Sequence, residues 1–303
     1  GDDSRLLDRE LIARTREATA RIWEDGLLEA ADLGMLLRSL QLLGLARFCP
    51  HTTDGKYRHI VVDEVQDFGA AELAVIIDSA HSPKDLTLAG DAAQESYNSS
   101  AFPGWERLQE YLREGPEMAT LTTLTVSHRS TLPIMRFADH ILGDTRTSEG
   151  KKGRPPLWVK CKTENEGVRQ ALGWLGRVMD KFPGSLIGVL CRNMEQARHV
   201  HGLLSPSFGS AVRLGEDESF TFEEGILVSS IKQVKGLEFP HVLIWNPSEK
   251  LYPHTRSKKL LYVAATRAEE NLCLITWESQ ACRLLPPLYS PLVRAYEPDA
   301  EEP

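Results

Sequence analysis

Residues 60–68 read IVVDEVQDF, and the fold follows from how this stretch is punctuated. Ile60, Val61 and Val62 form a short continuous apolar run that ends in acid, which suits a buried parallel strand. Ala70 to Ile77 reads as a helix that Pro83 breaks, and Leu86 to Ala89 is a second strand ending at Gly90-Asp91. Strand, helix, strand is an α/β layout. Upstream, Leu33, Leu36, Leu40 and Leu43 recur at intervals of three and four, the stripe of an amphipathic helix with Gly44 as its stop. Downstream the pattern restarts after Met118. Leu121 to Val126 is β-rich, and Thr163 with Glu166 forms a capping box before Val168, Leu172, Leu175 and Met179 at helical spacing. Leu186–Leu190, Ile226–Ile231, Val242–Trp245 and Asn271–Thr276 read as strands. Asn193 and Gln196 cap a helix whose inner face is Met194, Ala197, Val200 and Leu204, and Leu260 to Ala268 is helical. Two α/β units follow, each a mainly parallel sheet covered by helices: residues 1–117 and 118–290, then an acidic tail over 291–303 that reads as disordered.

Composition narrows the class. The chain has 303 residues, 42% hydrophobic and 26% charged, enough apolar material for a core. The longest stretch without Asp, Glu, Lys or Arg runs from His199 to Val212, short of the roughly 20 apolar residues of a membrane span. The first ten residues, GDDSRLLDRE, are too charged for a signal peptide. Five cysteines (Cys49, Cys161, Cys191, Cys273 and Cys282) form no zinc spacing and fit free thiols in a reducing cytoplasm. The net charge of −8 excludes a chain-wide basic footprint. Residues 126–162 nevertheless hold eight Lys/Arg against three Asp/Glu, and a groove-type binder of a single strand needs only local positive charge.

Side chains at the carboxyl end of a parallel strand face the crevice where ligands bind in open α/β sheets. Asp63 stands there, and Mg²⁺ favours one or two carboxylates plus substrate phosphates. Glu64 beside it is placed to orient and deprotonate an attacking water. The plainer reading, an acidic turn closing a strand, is weakened by Gln66-Asp67 directly after. In LTLAGDAAQESY (86–97), Gln94 offers a neutral amide that can report a γ-phosphate. Tyr97 is either a base-stacking aromatic or an ordinary loop residue. Trp105 reads as the anchor of an amphipathic helix with Leu108 and Leu112. Arg129 closes LTVSHRST, and Arg267 sits on a helix otherwise full of Ala and Leu. An arginine that reaches a γ-phosphate stabilises transition-state charge, worth about 10³–10⁵ in rate; the other reading of each is an ion pair.

In order, the tracts are DEVQD (63–67), GDAAQESY (90–97), HRS (128–130), KGLEF (235–239) and LLYVAATRA (260–268). Together they resemble the UvrD/Rep-like branch of superfamily 1 DNA helicases over about residues 30–277. The resemblance implies two RecA-like units with ATP and Mg²⁺ in the cleft between them and single-stranded DNA crossing both. It implies that Asp63 binds Mg²⁺, Glu64 activates water, Gln94 senses the γ-phosphate, and Arg129 and Arg267 are arginine fingers. Gln66, Asp67, His128, Gly236 and Glu238 fall on its nucleotide side, Glu238 near the ribose. Tyr97, Ser230 and Lys232 fall near the single strand. His128 stands where a Tyr often stacks on adenine, and Lys232 where many relatives have His. The short spacings from Arg129 to Lys235 and from Lys235 to Arg267 are similar to the helicase IV and RNA-polymerase-associated, HelD-like branch.

The family's GxxxxGK[ST] phosphate loop, whose backbone amides cradle phosphates, is expected before the DEVQD strand. The two Gly-Lys pairs, Gly55-Lys56 and Gly150-Lys151, are not followed by Ser or Thr. The expectation is therefore a first unit without its phosphate loop and a chain that is the C-terminal part of a longer motor. That motor's N-terminal portion would be a partner, and the chain alone would be inactive. The competing expectation is a non-catalytic helicase-like module that binds a protein such as RNA polymerase.

Overall fold

The computed structural model describes residues 32–45, 54–91, 102–112, 120–124, 126–144, 149–216, 221, 223–278 and 280–298. These fall into two compact units, the first up to residue 121 and the second from 122 onward. The division thus lies a few residues beyond the 117/118 expected from sequence.

In the first unit, helix α1 (Leu33–Leu42) is followed by β1 (Ile60–Val62), α2 (Ala70–Ser79), β2 (Leu86–Leu88) and α3 (Trp105–Tyr111). β1 and β2 pair in parallel, Val61 opposite Thr87. Among the described residues this two-stranded ladder is the unit's whole sheet. Its core gathers Val62, Val65, Leu73, Ile77, Leu108 and Leu112, with Phe102 and Trp105 against it. Trp105 is the expected helix anchor; its ring meets Phe102 edge-on at 5.6 Å.

Two readings of this unit need correction. β1 is parallel but buried on one face only, because Val61 is 70% exposed. The leucine stripe of α1 does form a helix, ended by Gly44 at φ +68°. That stripe faces away from α2, however: Leu33, Leu36 and Leu43 are exposed. The helix docks through its smaller and polar face. Gly34 lies so close to Glu72 that a Cβ there would sit 2.6 Å from Glu72 Cγ. Arg38 Nη1 donates to Asp78 Oδ2 at 2.5 Å, and Gln41 Nε2 to the Val75 carbonyl at 3.1 Å.

The second unit opens with β3 (Val126–Thr131), α4 (Leu132–Leu142), β4 (Glu149–Lys151), β5 (Leu157–Lys160) and α5 (Glu164–Lys181). It continues through β6 (Leu186–Cys191), α6 (Met194–Phe208), β7 (Val212–Gly215), β8 (Gly225–Ser230) and β9 (Phe239–Trp245). It ends with α7 (His254–Thr266), β10 (Ala268–Thr276) and β11 (Arg294–Tyr296). Seven strands form one all-parallel sheet in the order β11-β5-β10-β9-β6-β8-β7, and β3 pairs with β4 separately. Two expectations shift. The strand near 121–126 lies instead at Val126–Thr131, and residues 294–296 of the expected disordered tail form edge strand β11 beside β5.

Alternation along the strands feeds two cores, one on each face of the sheet. Leu190, Leu227, Val242, Ile244, Leu272 and Leu274 meet α4 and α7 on one face. Ile187, Val189, Ile226, Val228, Leu243 and Ile275 meet α5 and α6 on the other. Each such side chain, fully buried, contributes about 1.5–3 kcal/mol. Both caps read from sequence are present. Thr163 Oγ1 accepts from the Glu166 N–H and Asn193 Oδ1 from the Gln196 N–H. Glu166 and Gln196 reach back to the N–H groups of Lys162 and Arg192. Cys161, Cys191, Cys273 and Cys282 are free and buried, and desolvation pushes the thiols of Cys191, Cys273 and Cys282 upward, away from the reactive thiolate. No helix among the described residues is long and apolar enough to cross a membrane.

His241, on central strand β9, has no exposed surface. Its Nδ1 meets the Asn271 amide at 3.0 Å, its ring lies 4.6 Å from Phe182, and its Nε2 finds no partner among the described residues. Desolvation lowers its pKa below the ordinary 6.5, against a weaker opposing pull from Glu270. A pKa lower in the folded than in the unfolded chain contributes stability that is present above pH 6.5 and lost as pH falls below it. The second unit's thermal midpoint is therefore expected to drop between about pH 7.5 and 5.5, and His241→Phe to flatten that slope. Parallel slopes for the two proteins in calorimetry would refute this.

Candidate functional site

In the first unit the site is the turn that ends β1. Asp63 is exposed and its Oδ1 accepts the Glu64 N–H at 2.8 Å. Glu64 adopts φ 51°, ψ 41°, the left-handed region that few residues other than glycine occupy. Val65–Asp67 then form a single 3₁₀ turn. The ladder carries past the strand ends: Ala89 N–H donates to the Val62 carbonyl at 2.8 Å and Val65 N–H to the Ala89 carbonyl at 2.9 Å. The DEVQD turn is thereby fixed to the turn at Gly90-Asp91.

Gln66 seals this junction and has no exposed surface. Its Nε2 donates to Glu64 Oε2, and its Oε1 accepts the Asp91 N–H at 2.9 Å. A Cβ on Gly90 would collide with Gln66 Oε1 and stand 2.9 Å from Val65 Cγ1, so the glycine is what admits the amide. The resemblance puts Gln66 on the nucleotide side, and here it ties the two turns together. Both ends of its amide are engaged inside the unit. Asp67 is half-buried one residue on. Gln94 and Tyr97 lie outside the described residues.

A lone carboxylate at a strand end fits Mg²⁺, which takes one or two carboxylates together with phosphates and water. Among the described residues no three His, Cys, Asp or Glu side chains cluster as a metal cage. Substrate phosphates and water are the ligands that would join Asp63 around such a cation.

In the second unit the marked residues gather on the tract before β9. Ser230 ends β8, is buried, and accepts the Gln233 N–H at 3.3 Å, starting the turns that expose Lys232. Gly236 takes φ +79°. Arg129 and His128 are exposed on β3. Arg129 Nη2 pairs with Glu238 Oε1 at 2.7 Å, the two side chains being 53% and 28% exposed. Arg267, just past α7, is 1% exposed. Its Nη1 donates to the Leu237 carbonyl at 3.1 Å and its Nε to the Val263 carbonyl at 3.2 Å, while its own carbonyl accepts the Phe239 N–H at 2.9 Å. The two arginines therefore grip adjacent residues of KGLEF. Sequence marked Arg129, Glu238 and Arg267 but not Leu237, whose contribution is a backbone carbonyl.

Residues 225–275, from the start of β8 to the penultimate residue of β10, match the UvrD-like helicase C-terminal domain. This stretch of the second unit is therefore similar to a UvrD-like helicase C-terminal domain, in line with the resemblance read from the motifs. The chain is 26% identical over 156 residues to the probable DNA helicase II homolog of Rickettsia felis, covering 47% of this chain and 23% of that protein. It is 40% identical over 68 residues to the ATP-dependent DNA helicase PcrA of Staphylococcus aureus, covering 18% of this chain and 9% of that protein. It spans less than a quarter of the length of either. Among solved structures, the C-terminal domain of a possible DNA helicase from Lactobacillus plantarum WCFS1 aligns with 56% of this chain and 98% of its own length, at TM-score 0.48 and 24% identity.

The two arginines are expected to separate in a stability measurement. Arg267→Ala empties a buried site and takes the guanidinium donor from the Leu237 carbonyl, costing about 2–5 kcal/mol. Arg129→Ala removes half of a solvated ion pair and is expected to cost under about 1 kcal/mol. Urea unfolding of the two variants checks this, and equal costs would contradict the burial difference.

Proposed function

We propose that this chain is the C-terminal part of an ATP-dependent superfamily 1 DNA helicase or translocase, which couples ATP hydrolysis to movement along single-stranded DNA. The observation that carries the reading is the match of residues 225–275 to the UvrD-like helicase C-terminal domain, on whose KGLEF tract Arg129 and Arg267 converge. The first unit contributes the acids. Asp63 holds Mg²⁺, which screens phosphate charge when bound. Glu64 accepts a proton from the attacking water. Gln94 senses the γ-phosphate. The second unit contributes cations: Arg129 and Arg267 stabilise charge on the transferring phosphoryl group. His128, Gly236 and Glu238 border the nucleoside, and Asp67 lies beside the acids. Tyr97, Ser230 and Lys232 border the single strand. The phosphate loop belongs to an N-terminal portion of the same motor, and the spacing between motifs favours the helicase IV and HelD-like branch, for which RNA polymerase is a partner.

The test is ATP turnover. The 303-residue chain alone is expected to hydrolyse ATP at background rate. In the full-length gene product, Glu64→Gln is expected to lower DNA-stimulated kcat by about 10²–10⁴-fold with nucleotide binding retained, since an amide keeps the shape but accepts no proton. Wild-type turnover in full-length Glu64→Gln would remove Glu64 as the base, and a full-length protein without DNA-stimulated ATPase would favour the partner-binding module.

Nucleic-acid contact is tested separately. Lys232 is exposed on its turn. If it meets one phosphate, Lys232→Ala in the full-length protein weakens single-strand binding and reduces the slope of log K against log salt by about one unit. An unchanged slope in fluorescence anisotropy titrations would take Lys232 off the strand.

A further inference from the structure

We propose that Gln66 is a positioning residue, whose side-chain amide, anchored on the backbone of Asp91, holds the Glu64 carboxylate in its working orientation. The inference rests on the reading of Glu64 as the base.

Glu64 needs such a holder. It sits in a left-handed turn just past a three-residue strand, with its neighbour Asp63 exposed. A carboxylate on an open turn samples several rotamers unless something fixes it. Gln66 Nε2 donates to Glu64 Oε2, occupying one carboxylate oxygen and leaving the other to accept elsewhere. The amide cannot swing away, because its Oε1 is committed to the Asp91 N–H at 2.9 Å and the whole side chain is excluded from water. Breaking either bond in a dry site leaves a polar group without a partner. The result is a relay in which the carboxylate's orientation is referenced to the end of β2 rather than to its own turn. The left-handed backbone at Glu64 belongs to the same device. It brings the side chains of residues 64 and 66 together across an intervening Val65 whose own side chain enters the core. Gly90 completes it by leaving the space that the amide fills.

A residue that only filled the core would affect stability. A positioning residue affects the chemical step, through Glu64 alone. The variants are Gln66→Met, which keeps the volume and removes both hydrogen bonds, and Gly90→Ala, which keeps Gln66 but drives a methyl group into its amide. Both are made in the full-length gene product, and DNA-stimulated Mg·ATP turnover and nucleotide affinity are measured. Each is expected to lower kcat by about 100-fold, the scale of a misplaced catalytic group, with nucleotide affinity retained. In single-turnover measurements the double variant Glu64→Gln/Gln66→Met is expected to be no slower than Glu64→Gln, because both act through one group. Wild-type kcat in Gln66→Met, or a loss that multiplies in full onto that of Glu64→Gln, overturns the proposal. If Gln66→Met does not fold, Gly90→Ala decides, and unaltered kcat there overturns it equally. Glu64→Gln is the control for the underlying reading. If it retains turnover, the base has been misassigned, whereas a dead Glu64→Gln beside an active Gln66→Met sinks the positioning role alone.

Discussion

Parallel pairing is the constraint from which the rest of this chain follows. A parallel strand covered on both faces has no outlet for polar chemistry along its length, so functional groups collect where the strand stops. β8 is buried throughout, and polar side chains appear only at its last two residues, Ser229 and Ser230. β1 turns acidic at the residue after Val62. The two units use opposite strand ends, however. Asp63, Glu64 and the Gly90-Asp91 turn lie past the carboxyl ends of β1 and β2, where the crevice of an open α/β sheet is expected. Glu238 and Arg267 immediately precede β9 and β10, at their amino ends. The cationic cluster is therefore built by a route that the strand-end rule does not anticipate: β9 and β10 are adjacent and pair at Ala268 opposite Phe239, ahead of a bulge before Asn271, so their leading residues meet.

Much of the architecture was legible because the buried elements carry strong periodic signals. β6, β8, β9 and β10 each contain a continuous apolar run, and the helices α5 and α6 announce themselves by Thr163-x-x-Glu166 and Asn193-x-x-Gln196. Of the unread strands, β5 lies inside the main sheet with only the brief Leu157-Trp158-Val159 run to mark it, and the others are short edges or lie outside that sheet. β4 is Glu-Gly-Lys, β7 is Val-Arg-Leu-Gly and β11 is Arg-Ala-Tyr, sequences in which no apolar run exists. An edge strand covered on fewer sides needs less apolar surface, and so it leaves less trace. Helix α4 escaped although its punctuation is clear: Pro133 lies in its first turn and Gly143 ends it at φ +68°. The stripe of α1 shows the opposite failure. Periodicity correctly identified the helix, but it could not say that Gly34, Arg38 and Gln41, rather than the leucines, make the contact with α2.

At the site, sequence identified residue types and missed partners that are backbone atoms. Glu238 opposite Arg129 pairs two side chains, each marked by its own motif. Arg267 instead finds the carbonyls of Leu237 and Val263, and Gln66 finds the N–H of Asp91. No choice of side chain at 237 or 91 encodes those bonds. The readable trace is indirect, in the glycine at position 90 that the Gln66 amide requires.

The same distinction makes the two arginines unequal as sources of charge. The Arg129–Glu238 pair is solvated on both sides, so water and salt can replace either partner, and the exchange costs at most about 1 kcal/mol. Arg267 is held in a buried site by carbonyls, and losing its bond to Leu237 takes that carbonyl's guanidinium donor away, whereas the Val263 carbonyl keeps the Arg267 N–H and Thr266 Oγ1. Moving it also disturbs the backbone bond from Phe239 N–H to its own carbonyl, which begins the β9–β10 ladder. Any chemistry that asks both arginines for an anion therefore meets a mobile cation in one and a cation built into the frame in the other. The framed arginine can answer only as KGLEF and the head of β10 move with it.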